Sequence, residues 1–362
     1  MDAAAGTARA QAGCTLGDLD RETQLHGQAA VMGFVSATGI AGLTVGGGFG
    51  YLTRRFGWTC DTVLSMDVVT ADARVLRASA TENADLFWAL RGGSGNFGIV
   101  TSFEYRLFPV GPEILGGAIA WRGADAPQVL EAWREFSAAA PRELTTVAAL
   151  RIAPPAPWLP KEIHGQPMAV IFVCYSGRPE EGEALLPPLR KLGSPVADIV
   201  MRRPYTQMQS LLDATQPKGR RYYWKSHYLP QVSQQAAEIA VVHADKIASP
   251  HSAILMFQIG GVLNEQPPGH SPAGNRDAMY VLNIAGSWEK PEDDEANMRW
   301  ARDCFEAIRP CATGGTYLNF LTEEEGADRV QAAYGGPNLA RLAELKRGWD
   351  PDNLFRHTKA VC

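Results

Sequence analysis

The residues best suited to chemistry in this 362-residue chain lie in the run 33–50, GFVSATGIAGLTVGGGFG. Seven of its eighteen positions are glycine, and its polar residues, Ser36, Thr38 and Thr44, are small. Glycines let bare backbone approach a large flat ligand and offer it main-chain N–H groups. A glycine-rich surface loop is the simpler alternative. Val35, Ile40, Leu43 and Val45 interrupt the glycines and predict a buried, ordered segment, which favours a cofactor cradle. A second candidate, Gly93-Ser94-Gly95-Asn96-Phe97-Gly98, has the spacing G-x-G-x-x-G. That fingerprint has to follow a strand and open a helix, whose N-terminus then holds a pyrophosphate. Here a helix precedes and a strand follows, so a Rossmann site is rejected. Either these glycines only make a turn, or the turn touches the same ligand as the 33–50 run. In YYWKSHY, 222–228, alternation puts Tyr223, Lys225 and His227 on one face and Tyr222, Trp224 and Ser226 on the other. The first face either lines a polar pocket or meets solvent, and solvent is the expectation.

The elements that must position these residues follow from periodicity and punctuation. Thr15 caps a short helix over 15–26, with Leu16 and Leu19 on one face and Gly27 at its end. Residues 63–79 read as a hairpin around ADAR, 81–93 as a capped amphipathic helix, and 98–110 as a half-buried strand. Beyond residue 112, strands at 169–176, 222–229, 254–262 and 279–288 alternate with helices at 126–140, 178–192, 232–248 and 291–308. That order predicts an α+β domain, an antiparallel sheet with helices on one side. The proline-rich piece 153–167 is expected to loop over this sheet. TYLNFL, in 316–321, reads as a strand, followed by helices at 326–334 and 337–348.

Composition sets the outer limits. Hydrophobic residues make up 46% and charged residues 20%, ordinary for a globular enzyme, and the length allows two domains. The net charge of −5 and the lack of a basic stripe argue against nucleic acid. No apolar run approaches the ~20 residues of a membrane helix. MDAAAGTARAQAG is not a secretory signal, so a cytoplasmic location is expected. The six cysteines form no C-x-x-C pair and have no histidines at ligand spacing, so neither a disulfide nor a metal is expected.

Together the two glycine segments resemble the FAD domain of the vanillyl-alcohol-oxidase (PCMH-type) superfamily, in its berberine-bridge-enzyme-like branch. There a T-G-x-x-G-L-x-x-G-G-G-x-G run precedes a D-x-x-L-S-x-x-V-V hairpin and an F-W-A-L-R-G-G-x-G-N-F-G-[IV]-V-T turn. This chain has Thr38, Gly39, Gly42, Leu43 and Gly46 to Gly50; Asp61, Leu64 and Ser65; and Phe87 to Gly93 with Gly95 to Thr101. The family tail, Y-x-N, two helices and D-P-D-N-L-F-R, is matched by Tyr317, Asn319 and Asp350 to Arg356. The resemblance implies three parts: an FAD-binding domain at 1–111 (its second subdomain only), a substrate domain at 112–312, and a segment 313–362 returning to the FAD domain. It implies an FAD-dependent oxidase that passes hydride from a small organic substrate to flavin N5, with reoxidation by O2. Implied cofactor contacts are Ser36, Thr38, Gly39, Gly42, Gly46, Gly47, Gly48, Gly50, Asp61, Gly95, Asn96, Gly98, Ile99, Val100 and Asn353. Tyr317 is the implied base, with Asn319 orienting it from the same strand face and Lys225 as its cationic neighbour.

The sequence departs from the family in three places. No R-x-G-G-H-like pyrophosphate loop is present, and the expectation is a truncated gene model or a fragment whose missing subdomain lies upstream. Val35 stands where bicovalent members carry a flavin-linking cysteine, so no cysteine attachment is expected, and FAD is expected to be held non-covalently or through a single bond to the missing N-terminal segment. After Arg356 the family's N-Q-N is replaced by His357, Thr358, Lys359 and Ala360. The missing loop motivates a competing reading, a flavin-free descendant serving as a binding protein or a cofactor-independent cyclase or isomerase. Oligomeric state and substrate are not encoded in any recognisable pattern.

Overall fold

Two antiparallel sheets, with one face of the larger turned toward the glycine run, make up the frame. The computed structural model describes residues 1–322, 324–357 and 361. The smaller sheet orders its strands Thr7–Gln11, Ile99–Arg106, Val63–Val69 and Val75–Ser79. The helix Leu16–Gln24 begins at Thr15 with a full capping box: the Thr15 hydroxyl accepts from Asp18 N, and the Asp18 carboxylate accepts from Thr15 N.

The larger sheet runs in the order 197–198, 113–122, 167–175, 144–152, 253–258, 280–288 and 221–229, with 201–204 also on 113–122. Its central strands are buried on both faces, so alternation sorts their side chains between two cores rather than between core and water. Ile119, Leu150, Ile171, Ile254 and Ile284 meet the helices Ala126–Ala139, Gln234–Ala244 and Asp294–Ile308. Ala118, Val147, Phe172, Phe257 and Tyr228 meet Phe34, Phe49, Tyr51 and Trp58 from the glycine-rich part. Strands 113–122 and 144–152 are additional to those expected. The stretch 178–192 is two short helices rather than one, because Pro187 and Pro188 restart it. TYLNFL is not a strand: Leu318–Phe320 makes a 3₁₀ turn.

One buried acid carries a pH signature. Asp20 is buried, and neither carboxyl oxygen has a hydrogen-bond partner among the described residues. Burial pushes its carboxyl from the ordinary 3.8 up to about 8. The folded form therefore holds the proton while the unfolded chain releases it near the ordinary value. Stability attributable to Asp20 is full below the unfolded value and is lost as pH rises toward 8. An Asp20→Asn variant is expected to match the parent at pH 4 and to exceed it at pH 8 by a few kcal/mol, at roughly 1.4 kcal/mol per unit. Melting curves at the two pH values check this; a pH-independent difference contradicts it.

Candidate active site

A cavity of about 420 Å³ opens between the glycine run and the large sheet. One wall is Gly33, Phe34, Val35, Thr38, Gly42, Leu43 and Phe49. The opposite wall is the sheet face bearing Ala149, Arg151, Phe172, Trp224, Leu255, Phe257, Asn283 and Ala285. Tyr317, Asn319 and Phe320 close one end. The 3₁₀ turn, rather than a strand, brings Tyr317 and Asn319 together: Asn319 Nδ2 donates to the Tyr317 hydroxyl at 2.9 Å, and Gly48 N–H donates to it at 3.0 Å.

The glycine run divides into two halves with different jobs. It contains a helix, Ile40–Val45, that its composition did not announce. A Cβ on Gly42 would meet nothing within 4 Å, and Gly42 lines the cavity; Gly39 is equally open. Beyond the helix the space is filled. A Cβ on Gly46 would sit 1.9 Å from Asn319 Oδ1, one on Gly48 2.4 Å from Thr59 Oγ1, and one on Gly50 1.9 Å from the Met32 carbonyl. Gly47, at φ +112°, packs on Tyr317. These four glycines accommodate the chain itself rather than a ligand.

Several of the run's N–H donors are already taken within the chain. Ser36 N–H donates to Asp213 Oδ1 at 2.7 Å, and its hydroxyl to Oδ2 of the same carboxylate. Thr38 N–H goes to Val35 O, Gly46 to Gly42 O, Gly47 to Thr44 O, and Gly50 to Thr53 Oγ1. Ser36 is thus a tie to the 213 loop.

Other candidates fall elsewhere. Asp61 makes a two-point ion pair with Arg276 (2.9 and 2.7 Å) and accepts from Trp58 N–H, which makes it a structural clamp. Asn96 donates to Gly93 O, and its own carbonyl accepts from Lys346 Nζ at 2.8 Å. A Cβ on Gly98 would strike Val68 and the Val69 carbonyl. Asn353 is an exposed turn residue at φ +49°. None of Gly95, Asn96, Gly98, Ile99 and Val100 lines the cavity, and Ile99 is exposed on its strand. His357 is exposed, and Thr358, Lys359 and Ala360 lie outside the described residues.

Lys225 is not the neighbour of Tyr317. Trp224 takes the cavity side of its strand, so alternation sends Tyr223, Lys225 and His227 beneath helix Asp294–Ile308, where all three are buried rather than solvated. Lys225 Nζ pairs there with Glu324 at 3.1 Å and Glu325 at 3.3 Å. His227 stacks on Phe305, with Nε2 2.9 Å from that residue's carbonyl, and burial pushes its imidazole down to about 4. No cation among the described residues bears on the Tyr317 hydroxyl. Burial pushes its ionisation well above the ordinary tyrosine range, outweighing the two N–H donors that favour the phenolate.

Three residues escaped the sequence reading. Arg151 and Asn283 line the cavity on interior strands, and Lys346 anchors the tail; each is an isolated polar residue in an otherwise unremarkable stretch, so no local signal marked them.

Fold and cavity define a class, the FAD-linked oxidoreductases of PCMH type, and the comparisons agree. The family described as "FAD binding domain" matches residues 1–79, and the one described as "Berberine and berberine like" matches 316–362. The chain is 30% identical to (R)-6-hydroxynicotine oxidase of Paenarthrobacter nicotinovorans over 363 residues, covering 99% of this chain and 78% of the relative. It is 28% identical to the carbohydrate oxidase of Microdochium nivale over 384 residues, covering 98% of this chain and 75% of that one. The crystal structure of 6-hydroxy-D-nicotine oxidase from Arthrobacter nicotinovorans superposes with a TM-score of 0.84 at 28% identity, covering 100% of this chain and 79% of that one. The chain belongs to the berberine-bridge-enzyme-like family of FAD-linked oxidoreductases. It is an FAD-dependent oxidoreductase, and FAD is its cofactor. No helix among the described residues is long and apolar enough to cross a membrane.

Proposed function

We propose that the 420 Å³ cavity is where the flavin ring and a small organic substrate meet, and that O2 is the final electron acceptor. The observation that carries this reading is the open slot itself: Gly42 faces it with no atom near its missing side chain. The residues present fit a flat, largely apolar group. Val35, Gly42, Leu43 and Phe34 would hold one side of it, with Thr38 at the margin. When bound, FAD supplies the two-electron acceptor; the protein supplies placement and electrostatics. Val35 brings an aliphatic side chain to the cavity, which cannot form a thioether.

Tyr317 and Asn319 are proposed as the polar end of the cavity. The Tyr317 oxygen already accepts two N–H bonds, so its own proton remains to donate. Its proposed role is a phenol donor that orients a substrate heteroatom, not a resident phenolate. Trp224, Leu255, Phe257 and Phe320 exclude water around it. Gly95, Ile99 and Val100 are proposed to meet the rest of the dinucleotide outside the cavity. The division into an FAD-binding part to residue 111, a substrate part to 312 and a returning tail belongs to the same proposal.

Two relatives carry the names hydroxynicotine oxidase and carbohydrate oxidase, so hydroxylated N-heterocycles and oligosaccharides are the first substrates to try. Substrate-dependent peroxide release by the FAD-loaded protein tests the reading. Release with a member of either class is expected. Turnover that reduces a dye but never yields peroxide would remove O2 from the proposal, and no turnover with any acceptor would remove the oxidase reading.

A further inference from the structure

The polar residue most out of place in the cavity is Arg151. It stands on the interior strand Leu144–Ile152, two residues beyond Ala149 on the cavity face. Its Nε donates to the Ile152 carbonyl at 3.3 Å, and its two terminal nitrogens have no acceptor among the described residues. Arg151 is half-buried, and no carboxylate among the described residues forms an ion pair with it, so its guanidinium faces the cavity unpaired.

Its nearest charged neighbour, Arg220, adds positive charge instead of neutralising it. Arg220 and His251 line the same recess, and both bear electrostatically on the site. The carboxylate at this end, Glu289, is already shared: it lies 3.8 Å from Arg220 and 3.2 Å from His251 Nε2, and its side chain is 65% exposed. Counting Arg151 and Arg220 against Glu289 leaves one uncompensated positive charge with His251 neutral. Arg151 is also where two cavities join. The 420 Å³ cavity and a second of about 560 Å³ share Arg151, Phe172, Leu212, Thr215 and His251. The far walls of the second are apolar, with Pro154, Pro155, Pro157, Trp158 and Met168.

We infer that Arg151, flanked by Arg220 and His251, is a specificity subsite for the carboxylate of an apolar or aromatic acid bound across the junction of the two cavities. The free fork of Arg151 matches the two oxygens of a carboxylate, and the proline-lined recess takes the hydrocarbon body. Within the substrate classes proposed above, the subsite selects the member that carries a carboxylate over its neutral counterpart. This deepens the oxidase reading and rests on it for the word substrate, but anion capture itself needs neither flavin nor turnover.

The test is a calorimetric titration of the full chain, without added FAD, with 2-naphthoate, 2-naphthamide and 2-naphthyl phosphate. The acid is expected to bind at least about tenfold tighter than the amide, the scale of a charged hydrogen-bonded pair. Arg151→Gln is expected to erase that preference while leaving the amide unchanged, and Arg151→Lys to retain part of it. Arg220→Gln serves as the second variant: it weakens the acid less than Arg151→Gln does and guards against a folding defect in the first. Equal binding of acid and amide, or an undiminished preference in both glutamine variants, overturns the subsite. Tighter binding of the phosphate than of the acid overturns its assignment to a carboxylate. Loss of oxidase activity with intact acid binding would instead strike the flavin reading alone.

Discussion

Lys346→Met is expected to destabilise the protein by about 3–5 kcal/mol, the cost of stripping a buried charge of its partner. Lys346 is buried in the last helix, Gly336–Trp349, and its Nζ reaches Asp350, the Asn96 carbonyl at 2.8 Å and the Phe355 carbonyl at 2.9 Å. The Asp350 carboxylate in turn accepts from the N–H groups of Leu354 and Phe355, both at 2.8 Å. One ammonium thus fastens the D-P-D-N-L-F-R segment to the turn at 93–98, and the tail is what carries Tyr317 to the cavity. Methionine keeps the stem's volume but leaves Asp350 charged and two carbonyls without their donor. Adding Asp350→Asn should recover part of the loss, because the remaining charge goes too. Denaturant midpoints of the two variants decide this; a shift under about 1 kcal/mol in the single variant contradicts the hub.

The second large effect separates folding from binding. Gly42→Phe is expected to fold as well as the parent and to lose most of its capacity for FAD. The added ring has open space in front of it, and phenylalanine is a better helix residue than glycine by roughly half a kcal/mol. That space is the cavity, so the ring occupies the proposed flavin slot. Gly50→Ala is the converse control, with a Cβ 1.9 Å from the Met32 carbonyl, and should be unstable for reasons unrelated to any ligand. Comparing melting temperature with flavin content after saturation with FAD distinguishes the two. Full flavin content in Gly42→Phe would mean that the ring lies elsewhere.

Local chemistry was legible in the sequence, and long-range pairing was not. The Thr15 cap, the hairpin at 63–79 and the four long strands after 167 could be read because each signal lies within a few residues. The glycine run announced itself by composition, but its meaning depended on what lies opposite each glycine. Gly46 faces Asn319 and Gly48 faces Thr59, so those glycines record tight packing, while Gly39 and Gly42 face space. Ser36, Asp61 and Asn96 looked like ligand residues until Asp213, Arg276 and Lys346 claimed them from far along the chain. Tyr223, Lys225 and His227 do share one face of their strand, but that face meets neither solvent nor the cavity; the core it enters depends on helix 294–308, which no local pattern positions. TYLNFL read as a strand because its residues favour one, and Tyr317 and Asn319 still meet because the 3₁₀ turn folds them together.

The most direct measurement of the central claim is the visible absorbance of the purified chain after equilibration with excess FAD and removal of the unbound cofactor. Stoichiometric flavin with a perturbed spectrum, bleached on addition of a substrate, is the predicted result. A colourless protein that takes up no FAD, while melting cooperatively as a folded chain, would contradict it.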